Sequence, residues 1–171
     1  KNIKPDVIQG WMYQGNLVAW ISRSFFYRKA FLVWGIRHSL DDIYKETPKM
    51  RFTIRVNRFL SKNPDAIVYN SRVSQYQHEV FGFSNKNSLL IANGFDSKLF
   101  APSLKISNSL KKELGIPINS LIIGNFGRFH PMKNHKGFIL AALDLLLIQK
   151  DLHFILVGND IDSKNIELNK S

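Results

Sequence analysis

Residues Ile122 to Lys136, IIGNFGRFHPMKNHK, decide how the rest of the chain is read. Leu121, Ile122, Ile123 and Phe126 form a short apolar run with the look of a buried strand. Gly124 and Gly127 punctuate it, followed by Arg128, a break at Pro131 and Lys133. From about Asn134 a helical pattern begins, with Phe138, Ile139, Ala142, Leu143 and Leu146 on one face. A strand, a glycine turn and a helix start present backbone N–H groups and a positive helix end to an anion. Arg128 offers a planar fork and Lys133 a point charge, a pair that suits a diphosphate. The spacing is not a cofactor fingerprint in its own right. Gly124-x-x-Gly127 lacks the third glycine of the dinucleotide motif, and no G-x-x-x-x-G-K-[ST] phosphate loop is present. A buried strand ending in a tight turn, with two solvated cations, explains the same residues.

Outward from that stretch, apolar runs alternate with helical patterns. Val7–Gln9 reads as a short strand that enters the loop GWMYQGN (10–16) and then a helix from about Leu17 to Tyr27. Phe31–Ile36, Ala66–Asn70 and Ser88–Ala92 read as further strands, and Leu152–Val157 as the last. Thr47-Pro48 has the form of a helix start, Thr as cap and Pro in the first turn, with the helix running to about Lys62. A second helix covers Val73–Phe81. The polar stretch with Ser103, Ser107 and Ser109 is the best linker, and Leu110–Gly115 a helix end with glycine as its stop. Strands alternating with helices argue an α/β architecture with parallel sheets and right-handed crossovers.

The 171 residues suffice for one large domain or parts of two, and 44% hydrophobic content permits a sizeable core. Absence of cysteine removes a disulfide framework and a thiolate zinc site. No apolar run approaches the roughly 20 residues of a bilayer span, and the first residues do not form a signal peptide, so the chain reads as soluble. The net charge of +11 is concentrated early: residues 1–100 hold 15 basic and 7 acidic side chains, a net of +8. Such a surface attracts nucleic acid, anionic lipid or phosphorylated substrate, and charge alone does not choose. Arg51, Arg55, Arg58 and Lys62 share one stripe of the helix after Thr47, with Phe52, Val56, Phe59 and Leu60 assigned to the opposite, packed side. The stripe suits an anionic membrane surface, and equally the solvated face of a packed helix.

Several motifs in order carry a resemblance. Asn93-Gly94-Phe95-Asp96 with Phe100 and Pro102 comes first, then Leu114-Gly115-Ile116-Pro117. Gly127-Arg128-Phe129-x-Pro131-x-Lys133-Asn134-His135 and Leu156-Val157-Gly158 follow. Together they resemble family-4 glycosyltransferases of GT-B architecture, in which two Rossmann-like domains face each other across a cleft. PDVIQGWMY and VWGIRHS resemble the acceptor-side domain of bacterial members that build surface polysaccharides. The resemblance implies parts of two Rossmann-like parallel-sheet domains: residues 1–100 from the acceptor side and 101–171 from the nucleotide-sugar side. It implies the middle of an enzyme, with opening strands before Lys1 and the family's paired glutamates after Ser171, so that the segment alone is inactive.

The resemblance also implies roles. Arg128 and Lys133 bind the donor diphosphate and stabilise charge on the departing nucleotide, with Gly127, Gly158 and Asn159 lining the donor site. His38 hydrogen-bonds the sugar or stabilises charge near the anomeric carbon. Tyr13, Gln14 and Asn16 touch acceptor or donor in the cleft, although related sequences carry histidine near Gln14. No metal and no cofactor are expected, because the nucleotide-sugar is itself a substrate. The partners are that donor and a glycan or polyprenyl-linked acceptor, in the cytoplasm or on the inner face of the membrane. No nucleic acid is expected, since the aromatics fall mostly within apolar strand or helix faces.

Plainer readings stand beside these. A histidine after a strand is most often structural. Asp160-x-Asp162 imitates a D-x-D metal pair but follows a terminal turn and suits a helix cap. His130 and His135 are five apart, poor zinc spacing without a third ligand. Asp41-Asp42 suits a solvated cap better than a catalytic carboxylate pair. The rival functions are a basic nucleic-acid-binding module, or another GT-B enzyme such as a sugar epimerase or phosphorylase.

Overall fold

The computed structural model describes residues 3–162, 164 and 165. The chain divides into two compact units, Lys1–Asp96 and Ser97–Ser171. Both are α/β with parallel strands, as the alternation of patterns predicts.

The first unit runs β1 (Val7–Trp11), α1 (Met12–Phe25), β2 (Phe31–Ile36), α2 (Pro48–Leu60), β3 (Ala66–Tyr69), α3 (Arg72–Phe81) and β4 (Ser88–Leu90). Its sheet has the order β1-β2-β3-β4, every pair parallel. Three right-handed crossovers stepping in one direction place their helices on one face of the sheet. The core lies under those helices. Leu32, Trp34 and Ile36 of β2 and Ile67 and Tyr69 of β3 pack against Tyr13 and Ala19 of α1 and Ile54 of α2. Alternate strand residues point the other way. Val7, Trp11, Phe31 and Leu89 are about half exposed on that second face.

Caps fix two of these helices. Thr47 accepts a hydrogen bond from Met50 N–H at 3.3 Å with Pro48 in the first turn, and Ser71 accepts from Ser74 N–H at 3.1 Å. At α1 the sequence reading needs correction. The helix begins at Met12, so Tyr13, Gln14 and Asn16 ride on its first two turns and not in a loop. No side chain caps it, and Met12 sits at φ 59°, so no conventional start signal is written there. Close packing explains the glycine: a Cβ on Gly10 would meet Asn16 Cα at 2.6 Å.

A second correction concerns α2. Thr53, Ile54 and Asn57 are its buried residues, while Phe52 and Phe59 are 69% and 82% exposed. Residues three and four apart share a helix face, so Phe52 and Phe59 lie beside Arg55.

The second unit runs α4 (Leu104–Glu113), β5 (Leu121–Phe126), α5 (His135–Ile148) and β6 (Leu152–Val157), with β5 and β6 parallel. Here a third expectation fails: the serine-rich stretch is helical, and Ser103 is its cap, accepting from Ile106 N–H. Gly115 at φ 67° ends α4, with Ile116 N–H reaching back to Lys111 O at 2.8 Å. Asn134, at φ 47°, caps α5 by accepting from Gly137 N–H. Phe138 of α5 meets Phe154 of β6 edge-on at 5.9 Å.

Candidate functional site

In the second unit the parallel ladder does not stop with the strands. Gly127 N–H donates to Val157 O and Phe129 N–H to Asn159 O, both at 2.8 Å. The turn therefore spends these two N–H groups on the end of β6, and they are not free to cradle an anion. The charge the turn presents is carried by side chains. Arg128 is held between the two ladder bonds, and Lys133 lies with its Cδ and Cε 3.2 Å from where a Gly127 Cβ would stand. Both cations are exposed, and among the described residues neither is in an ion pair.

Gly158 completes the arrangement. A Cβ there would fall 2.0 Å from Gly127 O and 2.9 Å from Arg128 N. Only glycine lets the two strand ends come this close. Gly127, Arg128, Lys133, Gly158 and Asn159 are thus brought together at the carboxyl end of β5 and β6, beside the N-terminus of α5. Carboxyl strand ends are where open α/β sheets bind ligands.

Beneath the turn, His135 is 3% exposed and stacks on Phe129 with centroids 5.5 Å apart. His130 instead accepts from Met132 N–H through Nδ1, capping the short helical turn Pro131–Lys133. The two histidines have separate structural jobs. Asp162 accepts from Lys164 N–H, a turn contact. Among the described residues no group of three or more His, Asp or Glu gathers as a metal site.

In the first unit His38 follows β2 on a loop pinned at several points. Its Nε2–H donates to Glu46 Oε1 at 2.9 Å, since a carboxylate only accepts. Its backbone carbonyl accepts from Ser74 Oγ at 2.6 Å, and Leu40 N–H donates to Gln77 Oε1 at 2.8 Å. Asp42 caps the short turn Ile43–Lys45 through Tyr44 N–H, and Asp41 pairs with Lys45 at 3.0 Å. The His38 side chain keeps about a third of its surface exposed, with Tyr13 edge-on at 6.0 Å.

Tyr13 and Asn16 are buried, at 1% and 0% exposure. Tyr13 Oη–H donates to His78 Nε2 at 2.7 Å, because His78 Nδ1–H is committed to Ser74 O at 2.7 Å. Burial pushes His78 down to about 4, so the ring is neutral and can accept. Burial, with the charge of Glu46 second, holds the Tyr13 phenol above its ordinary value. Asn16 packs on Gly10, its amide without a hydrogen-bond partner among the described residues. Gln14 is exposed and reaches Met50 Sδ at 3.8 Å.

Sequence reasoning missed Glu46, Ser74 and Gln77, the groups that hold the His38 loop: Ser74 and Gln77 act across 36 and 37 residues, and Glu46, eight residues from His38, lies across an irregular loop with no helix or strand period to read. It also missed Arg37, whose guanidinium lies 4.8 Å over the Trp11 ring and donates to Asn93 at 2.7 Å. A basic residue directly after a strand was the one available signal.

No family model matches the chain. A stretch of 69 residues is 39% identical to the Bacillus subtilis (strain 168) protein named "Putative glycosyltransferase EpsF", covering 39% of this chain and 18% of that protein. Among solved structures, Anabaena HepE in complex with UDP-glucose superposes with a TM-score of 0.72 at 23% identity, covering 96% of this chain and 43% of HepE. HepE with UDP and glucose gives 0.72 at 22%, over the same shares. The chain thus spans less than half the length of these relatives. The likeness in fold bears out the GT-B type of α/β architecture that the motifs imply.

Proposed function

We propose that this chain is part of a retaining glycosyltransferase that moves a sugar from a nucleotide-sugar to a glycan or lipid-linked glycan in surface polysaccharide biosynthesis. The observation that carries the reading is the pair Arg128 and Lys133, free of ion pairs among the described residues and held at the carboxyl ends of two parallel strands by an extended ladder. The similarity to HepE, crystallised with UDP-glucose, and to EpsF supports a nucleotide-sugar as the ligand of that site.

In this reading residues Ser97–Ser171 belong to the donor-binding domain and Lys1–Asp96 to the acceptor-side domain. Arg128 engages the diphosphate through its fork and Lys133 through a single charge. Both meet more negative charge as the bond to the anomeric carbon breaks, so they favour the transition state over the bound donor. The leaving group is stabilised by these side chains, with no metal assigned to the step. Gly158 and Asn159 face the nucleoside end. His38, its Nε2–H committed to Glu46, offers Nδ1 as an acceptor to a sugar hydroxyl. Retention of configuration requires the acceptor to attack on the face that the nucleotide leaves. The enzyme works in the cytoplasm.

Calorimetric titration tests the reading. UDP or GDP should bind, uridine or guanosine should bind far more weakly, and Arg128→Ala should abolish the difference. Equal affinity for nucleoside and diphosphate would refute it, and so would a salt-sensitive shift of single-stranded RNA that nucleotide diphosphates fail to compete.

A further inference from the structure

Helix α3 turns one face toward the segment that carries His38. Ser74, Gln77 and His78 stand three and four residues apart on it and share that face. Ser74 Oγ–H donates to the His38 carbonyl at 2.6 Å, and Gln77 Oε1 accepts from Leu40 N–H at 2.8 Å. His78 reaches the segment through other residues. Its Nδ1–H donates to Ser74 O and its Nε2 accepts from Tyr13 Oη–H, both at 2.7 Å. The Tyr13 ring in turn meets the His38 ring in a T-shaped contact, centroids 6.0 Å apart. Two arms therefore run from His78 to His38, one through Ser74 to the backbone and one through Tyr13 to the ring.

The junction is sealed from water. His78, Ser74 and Tyr13 are buried, and Tyr69 and Phe83 enclose the imidazole with centroids at 5.5 and 5.0 Å. Asn57 of α2 donates to Tyr13 O at 3.0 Å, so the tyrosine is fixed at its backbone as well as at its hydroxyl. With Nδ1–H committed to Ser74, Nε2 offers only a lone pair, and one tautomer of His78 fits. A buried polar pair adds little net stability over an apolar pair of the same shape. What it adds is a fixed mutual geometry, since a fully satisfied network admits one arrangement. Glu46 holds one atom of the His38 ring, Nε2, at 2.9 Å. The Tyr13 ring beside it and the held carbonyl fix the plane.

We infer that His78 is a positioning residue for the transfer reaction, one that sets the plane of the His38 ring by holding Tyr13 and Ser74 in a single register. Being fully buried, it meets no substrate and acts only through those two neighbours. The inference rests on the role given to His38 under the proposed function and extends it to a residue on another element. A histidine that merely filled the core would change stability on replacement and leave His38 as it was.

Nitrogen NMR of the His38 ring in the 171-residue chain, with steady-state kinetics of the whole enzyme that contains it, tests the inference. The amide of asparagine stands where Nδ1 stood and that of glutamine where Nε2 stood. His78→Asn therefore keeps the Ser74 arm, and His78→Gln keeps the Tyr13 arm. Each should shift the His38 signals and lower kcat about fivefold at unchanged donor KM, the range of one neutral hydrogen bond. Tyr13→Phe, which removes one hydroxyl and keeps the ring, covers the case of a His78 variant that fails to fold and should match His78→Asn. In the His78→Asn background Tyr13→Phe should cost nothing further, because that arm is already broken. Additive losses of kcat would overturn the inference. So would a lowered melting temperature with His38 signals and kcat intact. If His38→Ala keeps full turnover, the role given to His38 falls and the inference with it. If His38→Ala loses turnover while the His78 and Tyr13 variants keep it, the inference alone falls.

Discussion

His38 Nε2 and Glu46 Oε1 stand 2.9 Å apart, joining the end of β2 to the residue just before the cap of α2. The contact fixes which ring nitrogen carries the proton. Glu46→Ala removes the acceptor, and nitrogen NMR should then show His38 losing its single Nε2–H tautomer, whereas Glu46→Gln, which still accepts through its amide oxygen, should keep it. In a whole enzyme that contains this chain, turnover should fall about tenfold or more for Glu46→Ala, the worth of a hydrogen bond to a charged group. An unchanged tautomer in Glu46→Ala would remove Glu46 from the account.

Arg128→Ala and Lys133→Ala should each lower kcat of the whole enzyme by about a hundredfold, near 3 kcal/mol of barrier, the effect of deleting one preorganised donor. Arg128→Lys should recover little, because a point charge cannot replace the planar fork. Steady-state kinetics with donor varied gives the answer. A rise in KM alone would mean that these cations hold substrate and transition state equally.

Gly158→Ala places a methyl group on Gly127 O and Arg128 N, both backbone atoms that cannot turn aside. The variant should lose about 1–3 kcal/mol of stability from overpacking, together with diphosphate affinity. Gly94→Ala has nothing within 4 Å of its new methyl and should change neither. Urea denaturation followed by UDP titration of both variants makes the comparison.

His78 links stability to pH. Its folded value of about 4 lies below the ordinary 6.5, so the unfolded chain binds the extra proton between those values. The contribution of the buried neutral ring is fully present above about pH 6.5 and is lost as pH falls toward 4. The loss amounts to about 3 kcal/mol. Urea midpoints should therefore drop between pH 7 and pH 4, and the drop should be smaller in His78→Gln.

Much of the fold was legible because its signals are local. Thr47-Pro48 announces α2, Gly115 stops α4 and Asn134 opens α5, each through chemistry confined to one turn. What misled was chemistry with two readings. Serine suits linkers and caps alike, so the start of α4 reads as a linker although Ser103 accepts from Ile106 N–H as its cap. Gly10, Gly15 and an uncapped start disguised the first turns of α1 as a loop. Phe52 and Phe59 read as part of the packed side together with Val56 and Leu60, although their spacing from Arg55 places them on its face. Their inner places are taken by Ile54 and by Asn57, whose amide donates to Tyr13 O and Thr53 O. At the candidate site, the cations and glycines stand in one contiguous stretch plus Gly158. The partners of His38 are Glu46, across an irregular loop, and Ser74, 36 residues on, and neither has such a signature.

The ladder past β5 has a mechanical side. Arg128 is strung between Gly127 and Phe129, whose peptide groups are tied to Val157 and Asn159. The backbone that carries Arg128 is therefore tied directly to the segment that holds Gly158 and Asn159. The two strand tips share one register, and a slip of either along the ladder breaks the same pair of hydrogen bonds.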